Sequence, residues 1–224
     1  MKFFLSVCVA GGLSMGAVAQ QKIDSSYNNT YYQGRMELFH HLPGARHAIV
    51  FLGNSITERA QWQELLQGRT LLNRGIGGDN TFGVLARLDG ILADKPKKIF
   101  LDIGINDIGR GLPLTVIGNN YQRIIEKIRS ASPGTKLFLQ SVLPMNDSVL
   151  TAAYLKNKKD TVLALNRIII DLAAKYGLTY VDLHNDVFKD GNGDLKRELT
   201  IDGIHLRPAA YELWVDYLKK KKYL

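Results

Sequence analysis

Short runs of β-forming residues recur along the chain at Ala48–Leu52, Thr70–Asn73, Lys98–Ile103, Lys136–Val142 and Thr179–Leu183. Helix-like segments stand between and after them, at about Ile56–Gln67, Asn80–Ala93, Pro113–Ser132, Lys158–Lys175 and Pro208–Lys221. Such alternation builds right-handed βαβ units and a parallel sheet covered on both faces. The run "IFLDI" has the continuous apolar character of a strand buried on both sides. Pro113 and Pro208 fall at helix starts, where proline is tolerated, and Gly134 and Gly177 follow helices, the usual place for a C-terminal glycine. The expected fold is α/β, one three-layer α/β/α domain around a central parallel sheet. In such sheets ligands bind beyond the carboxyl ends of the strands.

The first nineteen residues stand outside this pattern. Lys2 precedes the apolar stretch "FFLSVCVAGGLSMG", and Ala17-Val18-Ala19 follows it. A positive start, a short apolar core and an A-x-A ending describe a secretory signal peptide, too short for a spanning helix. Cleavage is expected after Ala19, with export to the periplasm or the medium. Residues 20–47 then form a polar, aromatic N-terminal arm with a short helix around Arg35–His41, and residues 48–224 form the domain. Cys8 is the only cysteine and lies in the leader, so the mature chain is expected to carry no disulfide and no Cys-rich metal site. No later segment reaches the roughly 20 apolar residues of a membrane span.

Several chemistries are set aside by spacing. "GIGGDN" begins like a dinucleotide fingerprint, but Asn80 stands at its last position, where Gly or Ala is needed. "DGNGD", Asp190–Asp194, opens like a calcium loop, yet Leu195 and Ile201 occupy the positions that require Gly and Glu. His40, His41, His47 and His184 show no metal-ligand spacing. No cofactor or metal is expected. Part of the net charge of +8 sits in the tail "LKKKKYL". Those lysines close an amphipathic helix, where cations suit the dipole, and lack the interleaved aromatics of a nucleic-acid face. Nucleic acid is not an expected partner.

The polar residues that remain fall at strand ends. The first strand runs into Gly53-Asn54-Ser55, the second into "NRGIGGDN", the third into "GINDIG", and a loop after the fifth carries "IDGIHLRP". Taken singly, each piece has an ordinary structural use. Ser55 fits a helix N-cap, Gly78 a turn, Asn106 and Asp107 a cap, and His205 a structural histidine paired with Asp202. Together they supply the parts of acyl transfer. A serine hydroxyl needs a neighbouring base, which His205 could be, with Asp202 to orient it. The developing oxyanion needs donors, which the N–H groups of Ser55 and Gly78 and the Asn106 amide could be. Asp79 and Arg110 lie beside these residues and could shape the site. Trp62 reads as core.

With these blocks the chain resembles the SGNH hydrolases, also called GDSL esterases and lipases, from about Ile49 to the last helix. "GNSIT" matches the first family block, "NRGIGGDNT" the second, "GIND" the third and "DGIHL" the last. The resemblance implies Ser55 as nucleophile, Asp202 and His205 as its triad partners, and Gly78 and Asn106 as oxyanion-hole residues. It also implies a flavodoxin-like domain with a small open site and no metal. The one departure is Asn54, where the block commonly has Asp, which keeps the size and an acceptor oxygen but loses the charge. The resemblance and the leader imply a secreted esterase for short acyl groups, acetyl first, on a small-molecule or glycan ester. A lysophospholipase, thioesterase or lipid acetylhydrolase is the rival within the class, and a non-catalytic carbohydrate-binding protein the rival outside it.

Overall fold

In the computed structural model, residues 23–224 are described. The leader expected over residues 1–19, with Cys8, lies outside them. The apolar runs form five strands: β1 (Ile49–Gly53), β2 (Leu71–Gly75), β3 (Lys98–Asp102), β4 (Lys136–Gln140) and β5 (Thr179–Val181). All pair in parallel in the order β2-β1-β3-β4-β5. That is the flavodoxin-like order, and its switch point lies between β1 and β3.

Alternate residues of each strand feed opposite layers. Val50, Leu52, Ile99, Leu101, Leu137 and Leu139 point to one core. Helices α4 (Thr81–Ala93), α6 (Leu114–Ala131) and α7 (Lys159–Tyr176) cover it with Val84, Leu88, Ile117, Tyr121, Leu165 and Ile169. Phe51, Phe100 and Phe138 are register partners on the other face, and their rings stack with centroids 5.1 and 4.5 Å apart. Trp62 of the short helix α3 (Trp62–Leu65) lies on Phe51, centroids 3.7 Å apart and planes 3° from parallel. Trp214 of α8 (Pro208–Lys220) meets Trp62 edge-on. Both indoles are fully buried, and their N–H groups donate to Thr57 O and Gln140 Oε1. Trp62 is thus core.

Three elements differ from the sequence expectation. The segment expected as one helix over Ile56–Gln67 is two, α2 (Ser55–Glu58) and α3, with an irregular link at Arg59–Gln61. The Trp62 indole reaches back to Thr57 O across that link. A short helix α5 (Ile105–Gly109) follows β3 unannounced. The arm helix α1 (Thr30–His41) begins five residues before Arg35, because Asn29 Oδ1 accepts the Tyr32 N–H and caps it. Among the described residues no helix is long and apolar enough to cross a membrane.

Candidate active site

The end of β1 sets the first group. Asn54 is fully buried and caps α2, its Oδ1 accepting the Ile56 N–H at 2.9 Å. Ser55 therefore opens the first turn of α2 at the carboxyl edge of the sheet. Gly53 pairs with Gly75 of β2 and Asp102 of β3, so the loops after those strands leave the sheet on either side of Ser55. A Cβ placed on Gly77 would lie 3.9 Å from Ser55 Cβ, which fixes the Gly77–Gly78 turn against the serine. Gly78 has φ +75° with open space around its missing Cβ, so a left-handed backbone and not crowding requires glycine here.

Asn106, in α5, donates from Nδ2 to Asp79 O at 2.8 Å. That bond fixes the amide plane and leaves the second Nδ2 hydrogen free. Behind Asn106, the buried Asp107 accepts the Thr81 hydroxyl at 2.5 Å and the Thr81 N–H at 3.1 Å, tying α5 to the start of α4. Burial pushes the Asp107 carboxyl up to about 6.

The loop before α8 brings the last two groups. His205 Nε2 lies 2.9 Å from Ser55 Oγ, and His205 Nδ1 lies 2.6 Å from Asp202 Oδ2. A carboxylate only accepts, so Nδ1 carries the hydrogen and Nε2 faces the hydroxyl as an acceptor. Asp202 Oδ1 also accepts the N–H groups of His205 and Ile204 at 2.8 and 3.2 Å. Burial pushes the Asp202 carboxyl upward, but the His205 ring and these N–H donors outweigh it and hold the group below the usual carboxylate range. The loop itself is braced. Thr200 Oγ1 donates to His205 O and accepts from Gly203 N, each at 2.9 Å. Gly203 has φ +92°, and a Cβ there would stand 2.7 Å from Asn146 O.

Ser55, His205 and Asp202 are thus joined by hydrogen bonds, and Gly78 and Asn106 stand on the segments that follow the neighbouring strands β2 and β3. Of the residues expected to shape the site, Asn54 and Asp79 act from behind, being 0% and 1% exposed. Asp79 Oδ2 is held by Arg87 Nη2 at 2.8 Å and Nε at 3.0 Å. Arg110 turns to the arm, its Nη1 donating to Ser26 Oγ at 2.7 Å and Asp24 Oδ2 at 3.2 Å.

Two important groups escaped the sequence reading. Arg87 interrupts the apolar stripe of Val84, Leu88 and Ile91, and this was its signal. Its guanidinium also donates to Arg74 O at 2.7 Å and Gly53 O at 3.0 Å, joining the ends of β2 and β1. Glu58 lies one turn after Ser55. Its Oε2 accepts the Gly77 N–H at 2.7 Å and its Oε1 accepts the Tyr31 Oη–H at 2.7 Å, and the same Oε1 pairs ionically with the Arg35 guanidinium, 2.8 Å from Nε. One carboxylate therefore couples the Ser55 helix, the Gly77–Gly78 turn and the arm.

Exposed apolar groups stand around the candidate site. Tyr154, Tyr31 and Ile201, at 58%, 54% and 53%, are the most exposed large apolar side chains among the described residues. Tyr154 lies against Gly109 of α5, Tyr31 against Gly77, and Ile201 next to Asp202. The Ser55 hydroxyl, the His205 ring and the Asp202 carboxylate form one hydrogen-bonded chain, a geometry suited to acyl transfer.

Residues 51–213 match the family model described as GDSL-like Lipase/Acylhydrolase. The platelet-activating factor acetylhydrolase IB subunit alpha2 of Rattus norvegicus is 27% identical over 169 residues, 73% of this chain and 70% of that protein. Esterase TesA of Pseudomonas aeruginosa is 29% identical over 182 residues, 74% of this chain and 83% of that protein. A solved structure from Streptococcus pneumonia, provisionally named a platelet activating factor, superposes with a TM-score of 0.75 at 33% identity, covering 85% of this chain and 90% of its own. The order of the strands and these matches agree: the chain belongs to the GDSL-like lipase/acylhydrolase family and is a carboxylic ester hydrolase.

Proposed function

We propose that this protein is an exported serine esterase that removes short acyl groups, acetyl first, from carbohydrate hydroxyls through an acyl-enzyme on Ser55. The hydrogen-bonded chain from Asp202 through His205 to Ser55, with links of 2.6 and 2.9 Å, carries the reading. Ser55 Oγ attacks the ester carbonyl carbon as its proton passes to His205 Nε2. Asp202 stabilises the imidazolium. The N–H groups of Ser55 and Gly78 and the free Nδ2 hydrogen of Asn106 receive the oxyanion. The carbonyl–alcohol bond then breaks, and the departing alkoxide takes the proton from Nε2. A water attacks the acyl-enzyme with the same base, Oγ regains its proton, and the carboxylic acid leaves. Asn54, Asp79 and Arg110 shape the site without exchanging protons with the ester.

The acetyl preference is supported by the name of the mammalian relatives, and the carbohydrate by the export that the leader implies. The leader over residues 1–19, cut after Ala19, supports export, leaving the arm at 20–47 ahead of the hydrolase domain at 48–224. Hydrolysis of p-nitrophenyl acetate and p-nitrophenyl octanoate by wild type and Ser55→Ala tests the proposal. Acetate turnover that vanishes in Ser55→Ala is the expected result. A preference for octanoate would favour a lipid acylhydrolase, the reading that the platelet-activating-factor name also raises. Turnover surviving in Ser55→Ala would sink the mechanism.

A further inference from the structure

A hollow of about 320 Å³ opens between α3 and α8, on the opposite face of the sheet from the Gly78 and Asn106 loops. Its residues adjoin the proposed triad. The Arg59 N–H donates to Ser55 O, and the Ile201 N–H donates to His205 O. Leu206 follows His205 directly. The floor is apolar, formed by Leu65, Ile201, Leu206 and Pro208. The rim carries Arg59, Gln61, Glu64 and Glu212, all exposed. Among the described residues none of these four side chains makes a hydrogen bond or an ion pair, whereas the neighbouring Glu58 uses both of its oxygens. Unengaged polar groups around an apolar floor are the composition of a ligand site.

The chemistry of the proposed site says which half of an ester reaches this side. His205 Nε2 must deliver its proton to the departing oxygen, so the alcohol leaves on the His205 side of Ser55. The oxyanion points the other way, to Gly78 and Asn106. We propose that the hollow is the leaving-group subsite and seats the alcohol half of the ester as an uncharged sugar ring. The inference rests on the serine-esterase reading above. The ring lays its apolar face on Ile201, Leu206 and Pro208, and its hydroxyls meet the carboxylates and amide of the rim. Two carboxylates against one guanidinium make the rim net negative, which disfavours an alcohol bearing phosphate or carboxylate. As the Oγ–C bond forms and the C–O bond breaks, the proton moves from Oγ through Nε2 to the sugar hydroxyl, and the neutral sugar leaves through the hollow.

The test holds the acyl group at acetate and varies the alcohol, comparing ethyl acetate with a monoacetylated methyl xyloside. Ile201→Trp fills the hollow from an exposed position, and Ile170→Trp places the same ring on the outer face of α7 as a control. For Ile201→Trp the ratio of kcat/KM for the xyloside acetate to that for ethyl acetate is expected to fall about 10-fold, the scale of one well-fitted apolar contact. The control ratio should hold. In parallel, binding of unacetylated methyl xyloside to Ser55→Ala, followed by NMR, should weaken when Ile201→Trp is added. That measurement needs no turnover, so it separates failure of the subsite from failure of the serine mechanism. An unchanged ratio, or a changed preference between acetate and butyrate at fixed alcohol, would overturn the assignment.

Discussion

Replacing Glu58 by glutamine puts the oxyanion side of the site to the test. The carboxylate accepts two hydrogen bonds, from Gly77 N–H and Tyr31 O–H, and forms an ion pair with the Arg35 guanidinium. Glutamine offers one oxygen and one NH₂, so at least one donor must face another donor. The Arg35 guanidinium, being charged, draws the remaining oxygen, and the Gly77 N–H is left against the amide nitrogen. Hydrogen bonds to charged groups contribute about 1.5–3 kcal/mol each. The side chains of Arg35 and Glu58 are only 24% and 14% exposed, so solvent screens little of this. The strain falls on the turn that presents the Gly78 N–H. A whole oxyanion donor contributes about 10²–10³ in kcat, so a partly displaced one should cost about 10- to 100-fold. The expected outcome for Glu58→Gln on p-nitrophenyl acetate is that loss in kcat with KM within about 3-fold, since the interaction is made only in the transition state. Affinity for an alkyl boronic acid, which mimics the tetrahedral adduct, should fall in step with kcat/KM. A raised KM at constant kcat, or a lowered Tm with full activity per folded molecule, would refute the positioning role.

Other consequences can be measured with single substitutions. Asp202→Asn should lower kcat about 10³- to 10⁴-fold with little change in KM, because the imidazole loses the group that fixes its tautomer; steady-state kinetics at pH 8 would show it. Arg87→Met should destabilise the fold by about 3–5 kcal/mol in urea titration, since it strands the buried Asp79 carboxylate and two strand-end carbonyls. Loss of under 1 kcal/mol would contradict that account. Asp102, fully buried with Oδ2 unpartnered, has its carboxyl pushed up to about 7 by burial alone. The folded chain keeps a proton there that the unfolded chain releases near pH 4, so stability declines as pH rises from about 4 to about 7, by at most about 4 kcal/mol. Asp102→Asn should flatten the difference between urea midpoints at pH 5 and pH 8. Equal slopes for the two proteins would remove Asp102 as the cause.

The strands were legible because a parallel sheet buried on both faces demands apolar runs. Their starts fall within a residue of the sequence expectation. The ends of β2, β4 and β5 lie two residues away: Val142 and Leu183 are buried without being paired strand residues, and apolarity reports burial, not pairing. The break between α2 and α3 was invisible because no proline or glycine marks Arg59–Gln61, and α5 because five residues are too few for a period. The five residues proposed as the site were readable as motifs in chain order, each following a strand. Glu58, Arg87 and the arm were not readable as a network. Their bonds span 8 to 86 residues, and only the folded chain decides which distant groups meet them.

Helix α8 begins three residues after His205 and runs for 13 residues, roughly 20 Å at 1.5 Å per residue. It carries Lys219–Lys222 to the opposite edge of the sheet, where Tyr223 O accepts a bond from Lys98 Nζ at the start of β3. Lys97, Lys136 and Arg69 crowd the same edge. A cluster of cations thus stands at one end of the sheet and the proposed site at the other. The separation exceeds the roughly 8 Å over which charges are felt at physiological salt. Retention on a cation-exchange column would report the basic end and be blind to the site. The net charge of +8 therefore says nothing about the ester that enters beside Ser55.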